Sequence, residues 1–264
     1  MKKLIYILAA WFLLEWVYTT KIKPFVIAEF IPAAKKDTSQ PNPPNAEPGT
    51  KPNKGSFVYG IDIYHSDGRG YELEKLDTGK DNISFVICKA TEGNYKTDPK
   101  FEKNWEILQQ KGVIRGAYHF YVCDVDPLLQ AQYFLQQIDS VSHITANDLP
   151  PVIDIESPAV NGNCNRIQDN ILLFLNAVEQ KLSRKPMIYT NLRGGNDFLN
   201  DPRFRSYPLW IAEPGVKTPG LPLTWKKEGW TIWQRSTVYR LGNENDFDIF
   251  NGTLDELNDF IRKY

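Results

Sequence analysis

Cysteine and histidine are scarce in this chain, with three of each in 264 residues. Cys88, Cys123 and Cys164 have no metal-ligand spacing, and an odd number rules out a full disulfide framework. His65, His119 and His143 include no H-x-x-H pair, so there is no zinc signature, and neither a metal nor a cofactor is expected. An excess of charge of one sign is also missing. Thirty-one basic and 32 acidic residues leave a net charge of −1, which gives no electrostatic basis for nucleic acid as a partner. No internal repeat is visible.

Apolar residues make up 42% of the chain, enough for a substantial core. Aromatics are plentiful, with seven Trp, thirteen Tyr and fourteen Phe. They suit stacking on sugar rings, and most serve equally well as core. Cys88 lies in the apolar run "FVICKA" and reads as core packing. Cys123 and Cys164 each lie just beyond a predicted strand end and could pair in an oxidising compartment.

Residues 1–20, "MKKLIYILAAWFLLEWVYTT", have the layout of a signal peptide or signal anchor: two lysines, then an apolar run from Leu4 to Leu14. With Trp16, Val17 and Tyr18 the run remains short of the roughly 20 residues of a full bilayer span. Trp11, Trp16 and Tyr18 suit a membrane interface, so an uncleaved anchor is favoured over a cleaved signal. Residues 21–56 contain a Pro-, Asn- and Lys-rich linker with no apolar periodicity. One catalytic domain is expected over 57–264, at the cell envelope outside the cytoplasm, or secreted if residues 1–20 are removed.

Within 57–264, apolar strands alternate with amphipathic stretches. Strands are expected at 57–63, 84–90, 113–121, 150–156, 185–190, 207–212, 229–235 and 245–250, and helices at 98–111, 126–140, 165–182 and 253–262. Thr253 followed by Glu256 reads as a capping box. About eight strands with interleaved helices predict an α/β fold, an irregular TIM-like (β/α) barrel in a single domain. Chemistry is then expected at the C-terminal strand ends.

The run "LPPVIDIESP" (149–158) is the most informative. Asp154 and Glu156 stand two apart after an apolar stretch, so on a strand they share a face, away from Ile155. Acids so placed are costly, and they point to acid/base work, a metal site or an ion pair. Asp62, Tyr189, Trp210, Gln234, Asp246 and Asp248 fall at other predicted strand ends. An ion pair with Lys89 or Arg115 is the competing use of Asp62 and Asp246.

These residues together resemble glycoside hydrolase family 25, the Chalaropsis-type lysozymes. "GIDI", "FVICKATEG", "GVIRGAYHFY", "PPVIDIE", "PMIYTN", "PLWIA", "WTIWQRS" and "DFDIFNG" follow in the family's order over nearly all of 57–264. The resemblance implies a barrel muramidase that cleaves the β-1,4 bond between N-acetylmuramic acid and N-acetylglucosamine in peptidoglycan; a monomer is expected. It implies Glu156 as general acid, Asp154 as its partner, Asp62 as first-strand acid and Asp246 as last-strand acid. Tyr118, His119, Tyr189, Trp210, Trp233 and Gln234 would line the sugar groove. The chain departs from the family pattern in the loop after Asp62, at Pro214, and at Asp248, where Asn is usual.

Glycoside cleavage needs a proton donor and stabilisation of an oxocarbenium-like centre. Cα atoms two residues apart on a strand are roughly 6.5 Å from each other, between the retaining and inverting carboxylate separations, so spacing leaves the stereochemical course open. A route in which the substrate's 2-acetamido oxygen attacks, with Asp154 holding the acetamide N–H, suits a side chain beside the acid. Two alternatives remain. A chitinase-like or endo-N-acetylglucosaminidase barrel would carry D-x-x-D-x-D-x-E, and that longer acidic ladder is absent here. A catalytically silent peptidoglycan-binding protein has no use for four retained acids.

Overall fold

A computed structural model describes residues 57–65, 73–77, 81–141, 144–156, 164, 166–241 and 243–264; the side chains of 237–245 are not described. The hydrophobic segment 1–20 and the linker therefore lie outside the described residues. Among those residues no helix is long and apolar enough to cross a membrane.

Nine strands and five α-helices are described. The strands are β1 (Val58–Ile63), β2 (Phe85–Glu92), β3 (Lys96–Thr97), β4 (Ile114–Phe120), β5 (Val152–Asp154), β6 (Met187–Asn191), β7 (Leu209–Ala212), β8 (Ile232–Leu241) and β9 (Asn243–Phe250). The helices are α1 (Phe101–Lys111), α2 (Pro127–Ser140), α3 (Ile167–Leu182), α4 (Leu192–Phe198) and α5 (Leu254–Lys263). Each expected strand and helix is present, most within a few residues, although β8 runs on to Leu241, well past the expected end at 235; β3 and α4 were not anticipated.

The sheet closes. Its order is β1-β9-β8-β7-β6-β5-β4-β2, with β1 also paired to β2 and β3 added at the edge of β2. Successive neighbours from β1 through β8 are parallel, whereas β9 runs antiparallel to both β8 and β1. The barrel is thus an irregular α/β barrel closed by a hairpin. Asp246 was expected at the C-terminal end of a parallel strand. It instead lies in the first half of a descending strand, and its antiparallel register sets it opposite Asp62 on the same rim.

Alternation explains which side chains fill the barrel. Phe85, Ile87, Val152, Met187, Ile232 and Phe250 point inward and form one buried cluster, which Leu257 and Ile261 of α5 join. Gly60 makes room for this packing: a Cβ there would sit 2.2 Å from the Phe85 ring. Outward-facing residues meet the helices. His119 stacks on Phe174 of α3 with ring centroids 4.9 Å apart, and its ring lies tilted against Phe134 of α2 at 5.6 Å.

Local signals fix the helix ends. Asp126 caps α2 by accepting the N–H groups of Leu128 and Leu129, with Pro127 in the first turn. The Thr253–Glu256 capping box opens α5 as expected. Cys123 and Cys164 form a disulfide with Cα atoms 5.4 Å apart, while Cys88 is free and buried. The disulfide ties the loop after β4 to the segment that leads into α3.

Candidate active site

A cleft of about 360 Å³ opens at the C-terminal ends of the parallel strands. Asp62, Asp154, Glu156 and Asp246 all line it, together with Tyr118, Tyr189, Trp210 and Gln234. Eight of the ten residues singled out from the sequence therefore converge.

Asp154 ends β5 and is 6% exposed, whereas Glu156 stands just past the strand and is exposed. Oδ1 of Asp154 is buried without a hydrogen-bond partner in the protein. Burial pushes the Asp154 carboxyl well above the usual range; the nearby Glu156 charge adds to this, and Lys89 opposes it. A buried acceptor that lacks a donor is a place for a ligand N–H or O–H.

The opposite wall is built by β1, β8 and β9. Oδ2 of Asp62 accepts a 2.7 Å hydrogen bond from Nε2 of Gln234, whose Oε1 accepts from the Tyr189 hydroxyl at 3.1 Å. Burial raises the Asp62 carboxyl, and the Asp246 charge raises it further, against the lowering by the Gln234 and Asp248 hydrogen bonds. Asp246 is pushed up to about 6 by burial and then by the Glu156 charge. The floor is aromatic. Trp210 packs edge-on to Tyr189 with centroids 4.5 Å apart, and its indole N–H donates to Asp248 at 2.9 Å. Burial first, and then the surrounding carboxylates, also raise Tyr118 and Tyr189, so both stay neutral hydroxyls.

Two expected groove residues are elsewhere. His119 is fully buried on the outer face of β4, where its ring nitrogens meet Thr91 Oγ1 at 2.8 Å and Gln130 Oε1 at 3.2 Å. Its neighbour Tyr118 takes the inward face, so His119 belongs to the barrel–helix interface. Trp233 is 5% exposed; its indole N–H donates to the Glu213 carbonyl, and its ring lies beside Trp230 and Arg235. Gln234 takes the cleft face in its place.

Neither Asp62 nor Asp246 uses a cationic partner from the competing reading. Arg115 grips Asp148 through two hydrogen bonds of 2.7 and 3.0 Å. Lys89 pairs with Glu92 at 2.6 Å. Lys89, which the sequence also places among the polar residues at the strand ends, lines the cleft too, as do Tyr64 and Phe120, to which the sequence reading gave no groove role. Strand parity points to Lys89, since Phe85, Ile87 and Lys89 share the inward face of β2. No group of three or more His, Cys, Asp or Glu among the described residues could hold a metal ion.

A model of the glycosyl hydrolases family 25 matches residues 61–243, well over half of the chain. The chain belongs to glycosyl hydrolase family 25. Lysozyme M1 of Streptomyces globisporus is 30% identical over 218 residues, covering 78% of this chain and 72% of that protein. The N,O-diacetylmuramidase of Chalaropsis sp is 31% identical over 190 residues, covering 66% of this chain and 85% of that protein. Among solved structures, the bacterial lysozyme of Streptomyces coelicolor superposes with a TM-score of 0.67 at 27% identity, covering 80% of this chain and 99% of that one. This family 25 member is a glycoside hydrolase.

Proposed function

We propose that this family 25 enzyme is an N-acetylmuramidase that hydrolyses the β-1,4 bond between N-acetylmuramic acid and N-acetylglucosamine in peptidoglycan. The observation that carries this reading is the joint exposure of Asp154, Glu156, Asp62 and Asp246 to one cleft over an aromatic floor.

Glu156 is the proton donor. It is exposed at the rim, where it can reach the leaving glycosidic oxygen. Asp154 accepts the 2-acetamido N–H of the sugar on its unpartnered Oδ1. That bond provides the donor the buried carboxylate lacks and aligns the acetamido oxygen for attack on the anomeric carbon. The carbon–oxygen bond breaks as the Glu156 proton passes to the leaving oxygen. Water then adds to the anomeric carbon, Glu156 takes its proton back, and the acetamido group is restored. Asp62 and Asp246, on the far wall, stabilise the developing positive charge. This course retains configuration, so the first-formed anomer is β; an initial α anomer would exclude it.

The whole cleft comes from one chain, which supports action as a monomer. The Cys123–Cys164 disulfide supports an oxidising compartment. The hydrophobic segment at 1–20 supports a place at the cell envelope with the catalytic domain outside the cytoplasm.

Mass spectrometry of a peptidoglycan digest tests the activity. Muramic acid at the new reducing ends is expected, and glucosamine there would assign a glucosaminidase instead. Glu156→Gln is expected to lower kcat by about a hundred- to ten-thousandfold with little change in KM. If peptidoglycan bound normally but the wild type released no reducing ends, the protein would be a binding module.

A further inference from the structure

Two carboxyl groups meet beneath the cleft, and only one of them is in it. The Asp62 and Asp248 side chains are close neighbours, and each acts on the charge of the other. Strand register accounts for it. On the antiparallel β1–β9 pair Asp62 stands opposite Asp246 and Gly60 opposite Asp248. Asp248 is therefore the diagonal neighbour of Asp62 on the inward face, across from a residue with no side chain.

Each carboxyl has one further donor. Asp248 accepts the Trp210 indole N–H on Oδ1, and Asp62 accepts the Gln234 amide on Oδ2. Oδ2 of Asp248 is buried, and no donor faces it. A hydrogen bond between two carboxyl groups requires a proton on one of them. Asp62 lines the cleft, whereas Asp248 is 0% exposed and does not line it. An oxygen with no donor facing it is satisfied once it is itself the O–H.

We infer that Asp248 is a positioning residue: as a neutral carboxylic acid it donates its O–H to Asp62 from below, and with Gln234 it fixes the Asp62 carboxyl aimed into the cleft. The role assigned to Asp62 rests on the proposed function; the proton on Asp248 does not. The surroundings agree. The charged groups facing Asp248 are Asp62 on β1 and Asp246 on its own strand, while β7 and β8 bring the neutral Trp210 and Gln234. Burial first, and then the Asp62 charge, hold the Asp248 proton on; at Asp62 burial and the Asp246 charge raise the carboxyl, and the Gln234 and Asp248 side chains oppose that rise.

Two variants of the full-length protein and an infrared measurement test this. Asp248→Asn replaces the O–H donor with an amide N–H and is expected to keep kcat within about threefold of wild type. Asp248→Leu removes the donor and is expected to lower kcat about ten- to a hundredfold, to change KM less, and to move the acidic limb of the kcat/KM profile to higher pH. In the infrared, wild type at neutral pH is expected to show a protonated-carboxyl carbonyl band that Asp248→Asn lacks. If folded Asp248→Asn falls as far as Asp248→Leu, if the acidic limb stays in place in Asp248→Leu, or if no such band is lost, the inference is overturned. Should Asp248→Leu fail to fold, the Asn variant and the band decide. Wild type without muramidase activity would sink the proposed function and leave the infrared result standing.

Discussion

The amide of Gln234 donates a 2.7 Å hydrogen bond to Asp62 across 172 residues of sequence, joining the first strand of the barrel to the eighth. The same amide oxygen accepts from Tyr189, so one side chain orients a carboxylate and a phenol on opposite sides of the cleft.

Gln234→Leu should therefore act on Asp62. Without its amide donor, Asp62 binds a proton more readily, since that bond lowers its pKa. Activity should fall about tenfold, and the acidic limb of the pH–rate profile should move to higher pH. Kinetics from pH 4 to 8 measure both effects.

Asp246 makes an opposite pair of effects. Its folded pKa of about 6 lies above the ordinary Asp value, so the folded state binds more protons than the unfolded chain between the two. Its contribution to stability is present at low pH and is lost as pH rises to about 6. Asp246→Asn should melt at a higher temperature than wild type at pH 7, with the gap closing towards pH 4, and should lose activity. Melting curves across that range give the test.

His119 is held neutral, its pKa lowered to about 3 chiefly by burial. Here the folded state binds fewer protons than the unfolded chain, so stability falls as pH drops below the ordinary value of about 6.5. His119→Phe should cost about 1–3 kcal/mol at neutral pH by leaving Thr91 without its partner, flatten the loss of stability between pH 6.5 and 4, and leave kcat unchanged. Denaturant melts at several pH values, alongside activity, check this.

The Cys123–Cys164 disulfide closes a loop with a sequence separation of 41, worth about 4 kcal/mol on a chain-entropy basis. A Cys123→Ser/Cys164→Ser double variant should unfold at markedly lower denaturant. Because the bridged loop holds Glu156, its specific activity should fall as well. An unchanged denaturation midpoint would refute the role.

The barrel and its rim were legible in the sequence because apolar strands, helical periodicity and the D-x-E pair are all local patterns. Strand direction was not: nothing in 229–250 says that β9 turns back, because a hairpin and a crossover present the same apolar runs. The two misplaced groove residues have a simpler cause. Tyr118 and His119 are adjacent on one strand, as are Trp233 and Gln234, and side chains alternate, so each pair could send only one member into the cleft. The inward parity of Phe85 and Ile87 marks Lys89 in the same way. Asp248 was noticed as a strand-end acid where Asn is usual, but its proximity to Asp62 depends on the reversed register.

The reversed last strand also separates two tasks that an all-parallel barrel would combine. In β1, β2 and β4–β7 the rim residue is followed by the loop that leaves the barrel, so altering the loop disturbs the residue. Asp246 is reached on the way down, after the β8–β9 turn has been made, and its height is set by ladder pairing with Asp62. The tip of that hairpin can then lengthen, shorten or change composition while the carboxylates keep their register. On this side of the cleft, what the enzyme meets at its edge can diverge independently of what it does at its floor.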